Sequence, residues 1–115
     1  MDHFLYREGA LFAEDVPISE IAAAVGTPFY VYSTATLLRH FQVLDDALAG
    51  MDHLVCYAMK AASNQAILRT LAQAGAGMDV VSGGEYARAP RLQACRATGS
   101  CFPASARRLT KSTWP

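Results

Sequence analysis

Between residues 54 and 88 the alternation of apolar runs and breaks predicts a repeating order of elements. Leu54–Met59 is an unbroken apolar run with no polar alternation, the pattern of a parallel strand covered on both faces. From about Asn64 to Ala74, Ile67, Leu68, Leu71 and Ala74 fall on one helical face, Ser63 is placed to cap the start, and Gly75–Gly77 breaks the run. Met78–Ser82 reads as a second strand, and "GGEYARA" begins another helix. Strand, crossover helix, strand, helix is a βαβ unit, so the predicted class is α/β with a parallel sheet.

The preceding residues are punctuated differently. "FLYREGALFAEDVP" gives two short extended pieces around a Glu8-Gly9 turn. "SEIAAAVGTP" predicts a short helix with Ser19 as N-cap, Glu20 in the first turn, Gly26 closing it and Pro28 preventing continuation. Phe29–Ser33 is aromatic and β-branched, which favours a strand. Leu37, Phe41, Leu44 and Leu48 then recur at helical spacing until Gly50.

Composition narrows the classes. Hydrophobic residues make up 52% and charged residues 17%, a globular balance, and formal net charge is zero. Neither nucleic acid nor an anionic membrane is expected as a partner. No apolar stretch reaches the ~20 residues of a membrane-spanning helix, and "MDHFLYREG" lacks the layout of a signal peptide, so a cytoplasmic protein is expected. Cys56, Cys95 and Cys101 are odd in number and contain no C-x-x-C, indicating neither a disulfide framework nor a zinc site. His3, His40 and His53 form no ligand-spaced pair, and no metal is expected.

The charge is unevenly spread. All ten acidic residues lie between Asp2 and Glu85, whereas six of the ten basic residues run from Arg88 to Lys111.

Lys60 ends the first apolar strand. In α/β barrels chemistry sits at the C-terminal ends of strands, and strand alternation places Lys60 on the face of Ala58 and Cys56, whose small side chains leave room for a flat group. A desolvated lysine there has a lowered pKa and a larger nucleophilic fraction, suited to Schiff-base formation; a lysine that snorkels to water fits the same position. Asp79, in the neighbouring strand, either pairs with Lys60 or sits at its strand's start facing solvent. Ser82–Glu85 opens a helix after a strand, where N–H groups can receive an anion, though two glycines in a βα loop are commonplace.

"GTPFYVYS", "CYAMKAASNQAIL" and "GAGMDVVSGGEYARA" together resemble the diaminopimelate decarboxylase family, within the pyridoxal-phosphate decarboxylases of the ornithine/diaminopimelate/arginine group. The resemblance covers residues 1 to about 89 in order. It implies the N-terminal part of a pyridoxal-phosphate-binding (β/α)8 barrel of the alanine-racemase type. Residues 1–33 would contribute to a β domain and 34–89 would start the barrel. By that resemblance Lys60 carries pyridoxal 5'-phosphate covalently, Ala58 leaves space for it, and Asp79 supports the lysine. The implied reaction is decarboxylation of meso-2,6-diaminopimelate to L-lysine by a homodimer, the substrate being a small amino acid. The alternatives are another pyridoxal-phosphate barrel enzyme (an ornithine or arginine decarboxylase, or an alanine racemase) and a non-catalytic α/β module with a basic tail. One departure falls in the motif: Ala62 stands where the family usually has asparagine.

Residues 90–115 do not continue the resemblance. Back-translating Leu92–Lys111 with GC-rich codons and reading from the third base of the Leu92 codon gives A-G-V-P-G-D-R-I-V-F-S-G-V-G-K-T-A-D-E. That is a turn, a β-branched strand and a helix start. The expectation is a one-base slip near Arg88–Arg91, as mutation or sequencing error, with residues 90–115 out of frame. A chain holding two of eight barrel strands is then expected to fold poorly and to be inactive alone.

Overall fold

The computed structural model describes residues 2–89. The out-of-frame reading of 90–115 lies outside the described residues. The chain divides into two compact units, Met1–His40 and Phe41–Pro115.

In the first unit β1 (Phe4–Arg7), β2 (Ala10–Ala13) and β3 (Val16–Pro17) form an antiparallel sheet in sequence order. Phe4 pairs with Ala13 and Arg7 with Ala10. The connecting Glu8-Gly9 turn has φ 50° and 81°, the positive-φ pair that matches the twist of a two-residue hairpin. The turn expected there is therefore present. The short helix α1 spans Ile18–Val25 and ends at Gly26, whose N–H donates to the Ala22 carbonyl.

Two expectations fail in this unit. The N-cap of α1 is Pro17, not Ser19, and no side chain caps it. Proline at the end of β3 already has the extended ψ of 133° that a cap requires, so the helix begins before the serine is reached. Phe29–Ser33 forms no strand. Tyr30 is 91% exposed, and a β-prone segment without a partner strand has no ladder to join.

Ser33 does other work. It is buried, its Oγ accepts from Thr36 N at 3.0 Å, and its hydroxyl donates to Glu14 Oε1 at 2.7 Å. Glu14 Oε1 also accepts from Ala35 N at 2.9 Å. Two oxygens thus satisfy N–H groups that open α2 (Thr34–Ala47). The Ala35 N–H first, then the Ser33 hydroxyl, hold the Glu14 carboxyl below its usual range. Helix α2 crosses from one unit into the other.

In the second unit β4 (Cys56–Ala58), α3 (Gln65–Ala74), β5 (Gly77–Asp79) and α4 (Gly83–Arg88) follow in order. β4 and β5 are parallel, with Cys56 opposite Gly77, Tyr57 opposite Met78 and Ala58 opposite Asp79. The predicted βαβ unit is present, but both strands are shorter than the apolar runs suggested, and β4 is half-buried rather than enclosed. The core draws Ile67, Leu68, Leu71 and Ala72 from α3, with Met59, Ala76, Met78 and Val80 from β4, β5 and their flanks. Met59, Leu68 and Val80 are its most completely buried large side chains.

The cap of α3 is Asn64, whose Oδ1 accepts from Ala66 N at 2.8 Å, not Ser63. Both residues are good caps; the carbonyl of Asn64 accepts the first helical bond, from Leu68 N, and that decides it. Gly75 at φ 108° closes the helix in the left-handed conformation.

His53 holds the approach to β4. Its Nδ1 lies 2.9 Å from the Met51 carbonyl and its Nε2 3.1 Å from Asp45 Oδ1. Both neighbours only accept, so both contacts are hydrogen bonds at once only when both ring nitrogens carry protons. The Met51 carbonyl first, then the Asp45 carboxylate, raise the His53 pKa. A folded-state pKa above the unfolded one adds stability that is complete below the unfolded value, and that is lost as pH rises through the folded value. NMR titration of His53 should therefore give a pKa above 6.5, the ordinary value, and Asp45→Asn should lower it. An unchanged midpoint in the variant would remove the carboxylate from the explanation.

Candidate functional site

Lys60 leaves the sheet at the C-terminal end of β4, in a turn closed by Ala61 N donating to the Ala58 carbonyl at 3.1 Å. Met59 N donates to the Asp79 carbonyl at 3.0 Å, so the strand pairing continues to the residue before the lysine. Lys60 is exposed. The buried setting considered for it at the strand end is not present.

The register puts Ala58 directly opposite Asp79. Both are half-buried at the strand ends beside the lysine. The sheet therefore brings Lys60, Ala58 and Asp79 to one end. It does not join the charges: among the described residues the ion pairs are Arg7–Asp15 and His53–Asp45. The amine has no carboxylate partner there.

The segment after the lysine is tied on several sides. Tyr57 Oη donates to the Ala62 carbonyl at 3.3 Å. Arg88 Nη1 donates to the Ser63 carbonyl at 3.2 Å and to Ser63 Oγ at 2.8 Å. The backbone at Ala62 is thus held by a tyrosine despite the missing asparagine amide. Neither contact was visible in the sequence, because nothing in spacing marks a bond across 25 residues.

At the next strand end, Ser82 caps α4: its Oγ accepts from Glu85 N at 3.2 Å, while Glu85 Oε2 accepts from Val81 N at 2.7 Å. This reciprocal arrangement is close to a capping box, displaced by one residue. The "SGGE" motif has a structural task here, closing the start of the short helix. Among the described residues no three potential metal ligands cluster, and no helix is long and apolar enough to cross a membrane.

These residues fit the aldehyde end of a pyridoxal cofactor: a primary amine without a carboxylate partner, a small side chain beside it, and a carboxylate one strand away.

A family model described as "pyridoxal-dependent decarboxylase, pyridoxal binding domain" matches residues 34–98. The diaminopimelate decarboxylase of Pseudomonas fluorescens is 56% identical over 88 residues, covering 76% of this chain and 21% of the relative. That of Vibrio cholerae is 52% identical over 89 residues, with 76% and 21% covered. A solved structure from Aquifex aeolicus matches with TM-score 0.74 and 41% identity over 79% of this chain and 22% of that one. A diaminopimelate decarboxylase from M. jannaschii, solved in co-complex with L-lysine, matches with TM-score 0.69 and 32% identity, over 81% and 23%. The chain spans about a fifth of the length of these curated relatives. The likeness bears out the expected fold class, α/β and the N-terminal part of a pyridoxal-binding barrel.

Proposed function

Because the chain belongs to the pyridoxal-dependent decarboxylases, matching the model of their pyridoxal-binding domain over residues 34–98, we propose that it supplies the cofactor-anchoring lysine of a diaminopimelate decarboxylase. The observation that carries this is Lys60 at the C-terminal end of a parallel strand, with Ala58 and Asp79 in register beside it. The names of the relatives, at 52–56% identity, favour meso-diaminopimelate over ornithine or arginine. L-lysine in the neighbouring solved structure is the product that choice predicts.

Each residue then has a task. Lys60 Nζ is the covalent anchor for pyridoxal phosphate, which when bound supplies an electron sink for breaking the Cα–carboxylate bond. Lys60 Nζ would also move protons, taking them from the substrate amine that displaces it and returning them to the product amine afterwards. Asp79 receives the ammonium between those events, and its carboxylate lies on the strand next to the lysine's. Ala58 leaves the space above the sheet end open.

The wider reading is a cytoplasmic homodimer in lysine biosynthesis, acting on a small amino acid with neither nucleic acid nor membrane as partner. The domain division is 1–33 to a β domain, 34–89 to the barrel, and 90–115 out of frame. The family model's match begins at residue 34, which supports the boundary there, and it extends to 98, past the break placed at 90. Resequencing the gene across the Arg88–Arg91 codons should show a one-base slip; an intact register would end the out-of-frame reading. The product of the restored register should release carbon dioxide from meso-diaminopimelate and yield L-lysine. Faster turnover of ornithine or arginine would replace the substrate named here.

A further inference from the structure

We propose that Arg88 is a positioning residue: from the last turn of α4 it ties down the segment carrying Lys60 and so fixes where that amine stands. The inference rests on Lys60 being the cofactor anchor. Residues 60–64 link β4 to α3, and none of them is buried. With no apolar side chain in the core, hydrogen bonds must hold this stretch in place. Before the lysine, Met59 N reaches the Asp79 carbonyl of β5. After it, Arg88 Nη1 reaches both the carbonyl and the hydroxyl of Ser63, at 3.2 and 2.8 Å. Both flanks of Lys60 are therefore fastened to the β5–α4 half of the unit.

The chemistry suits the task. A guanidinium stays charged at every working pH, and its planar fork fixes direction as well as distance. Ala62 contributes no polar side chain, so at this point the segment depends on Tyr57 and Arg88 from elsewhere. A lysine on a loosened segment spends less time where a bound aldehyde can be reached, and small misplacements are costly to such reactions.

The test uses the 115-residue chain and its Arg88→Ala, Arg88→Lys and Ser63→Ala variants. Amide exchange is read at Ala61, bonded to the Ala58 carbonyl, and at Leu68, bonded to the Asn64 carbonyl. Pyridoxal phosphate with borohydride is then used to compare labelling of Lys60 with that of Lys111, the chain's other lysine. Trapping adds the amine to the aldehyde carbon with loss of water, and hydride from borohydride reduces the C=N bond.

Arg88→Ala should speed exchange at Ala61 by about tenfold without changing Leu68, and should lower the Lys60:Lys111 labelling ratio by about the same factor. Arg88→Lys should restore part of both. Ser63→Ala, which keeps the carbonyl acceptor, should fall between wild type and Arg88→Ala. Unchanged exchange and labelling in Arg88→Ala would overturn the proposal. So would equal acceleration at Ala61 and Leu68, because Arg88 would then hold the whole unit. Wild-type labelling with no preference for Lys60 would contradict the cofactor-anchor reading alone, and the exchange result would still decide whether Arg88 fastens the segment.

Discussion

Replacing Lys60 by alanine in the restored-register protein should lower carbon dioxide release from meso-diaminopimelate by at least roughly 10²-fold, the scale at which loss of a positioned proton-transfer group is felt. The same change should eliminate the reducible absorbance band formed with pyridoxal phosphate. Two physical losses combine. Removing Nζ removes the covalent link that holds the cofactor at the sheet end, and it removes the group that carries protons between substrate and cofactor. Stability should change little, because Lys60 is exposed and makes no ion pair among the described residues. Thermal melting of the variant separates the cases: activity lost with an unchanged midpoint assigns a chemical role to the lysine. Full activity in Lys60→Ala would place the chemistry on another residue.

Leu68→Ala should destabilise the second unit by about 2–5 kcal/mol, the range for emptying a fully buried leucine site. Leu68 is 0% exposed on α3 and belongs to the same core as Met59 and Val80. Met59, another fully buried residue of this core, immediately precedes Lys60. A loss of that size is a large fraction of the ~5–15 kcal/mol that holds ordinary domains folded. The urea midpoint should fall accordingly, and with it the amide protection of α3. A shift worth less than about 1 kcal/mol would mean that the core had collapsed around the gap.

Local patterning carried much of this fold into the sequence. Of the predicted α3 stripe, Ile67, Leu68 and Leu71 are buried while Ala74 is exposed and Ala72 is buried instead, and the Glu8-Gly9 hairpin appears where the turn residues stand. What local signals could not decide was competition and partnership. Ser63 and Asn64 are both good caps, and only the first helical hydrogen bond separates them. Phe29–Ser33 has strand composition, but a strand is a pairing, and none is made there. Glu14 reaches Ser33 across 19 residues and Arg88 reaches Ser63 across 25; no periodicity encodes either. At the candidate site, Lys60, Ala58 and Asp79 were findable because two strands in parallel register bring them to one end. The exposure of Lys60 agrees with the snorkelling reading, whereas the half-burial of β4 was not legible, since it depends on what covers the sheet and not on the apolar run itself.

The account stands on a single amine. Incubating the restored-register protein with pyridoxal phosphate, reducing with borohydride and mapping the modified peptide by mass spectrometry should find the pyridoxyl group on the peptide that contains Lys60, in near-stoichiometric yield. A label on another lysine or the N-terminus instead, or no label at all, would contradict it.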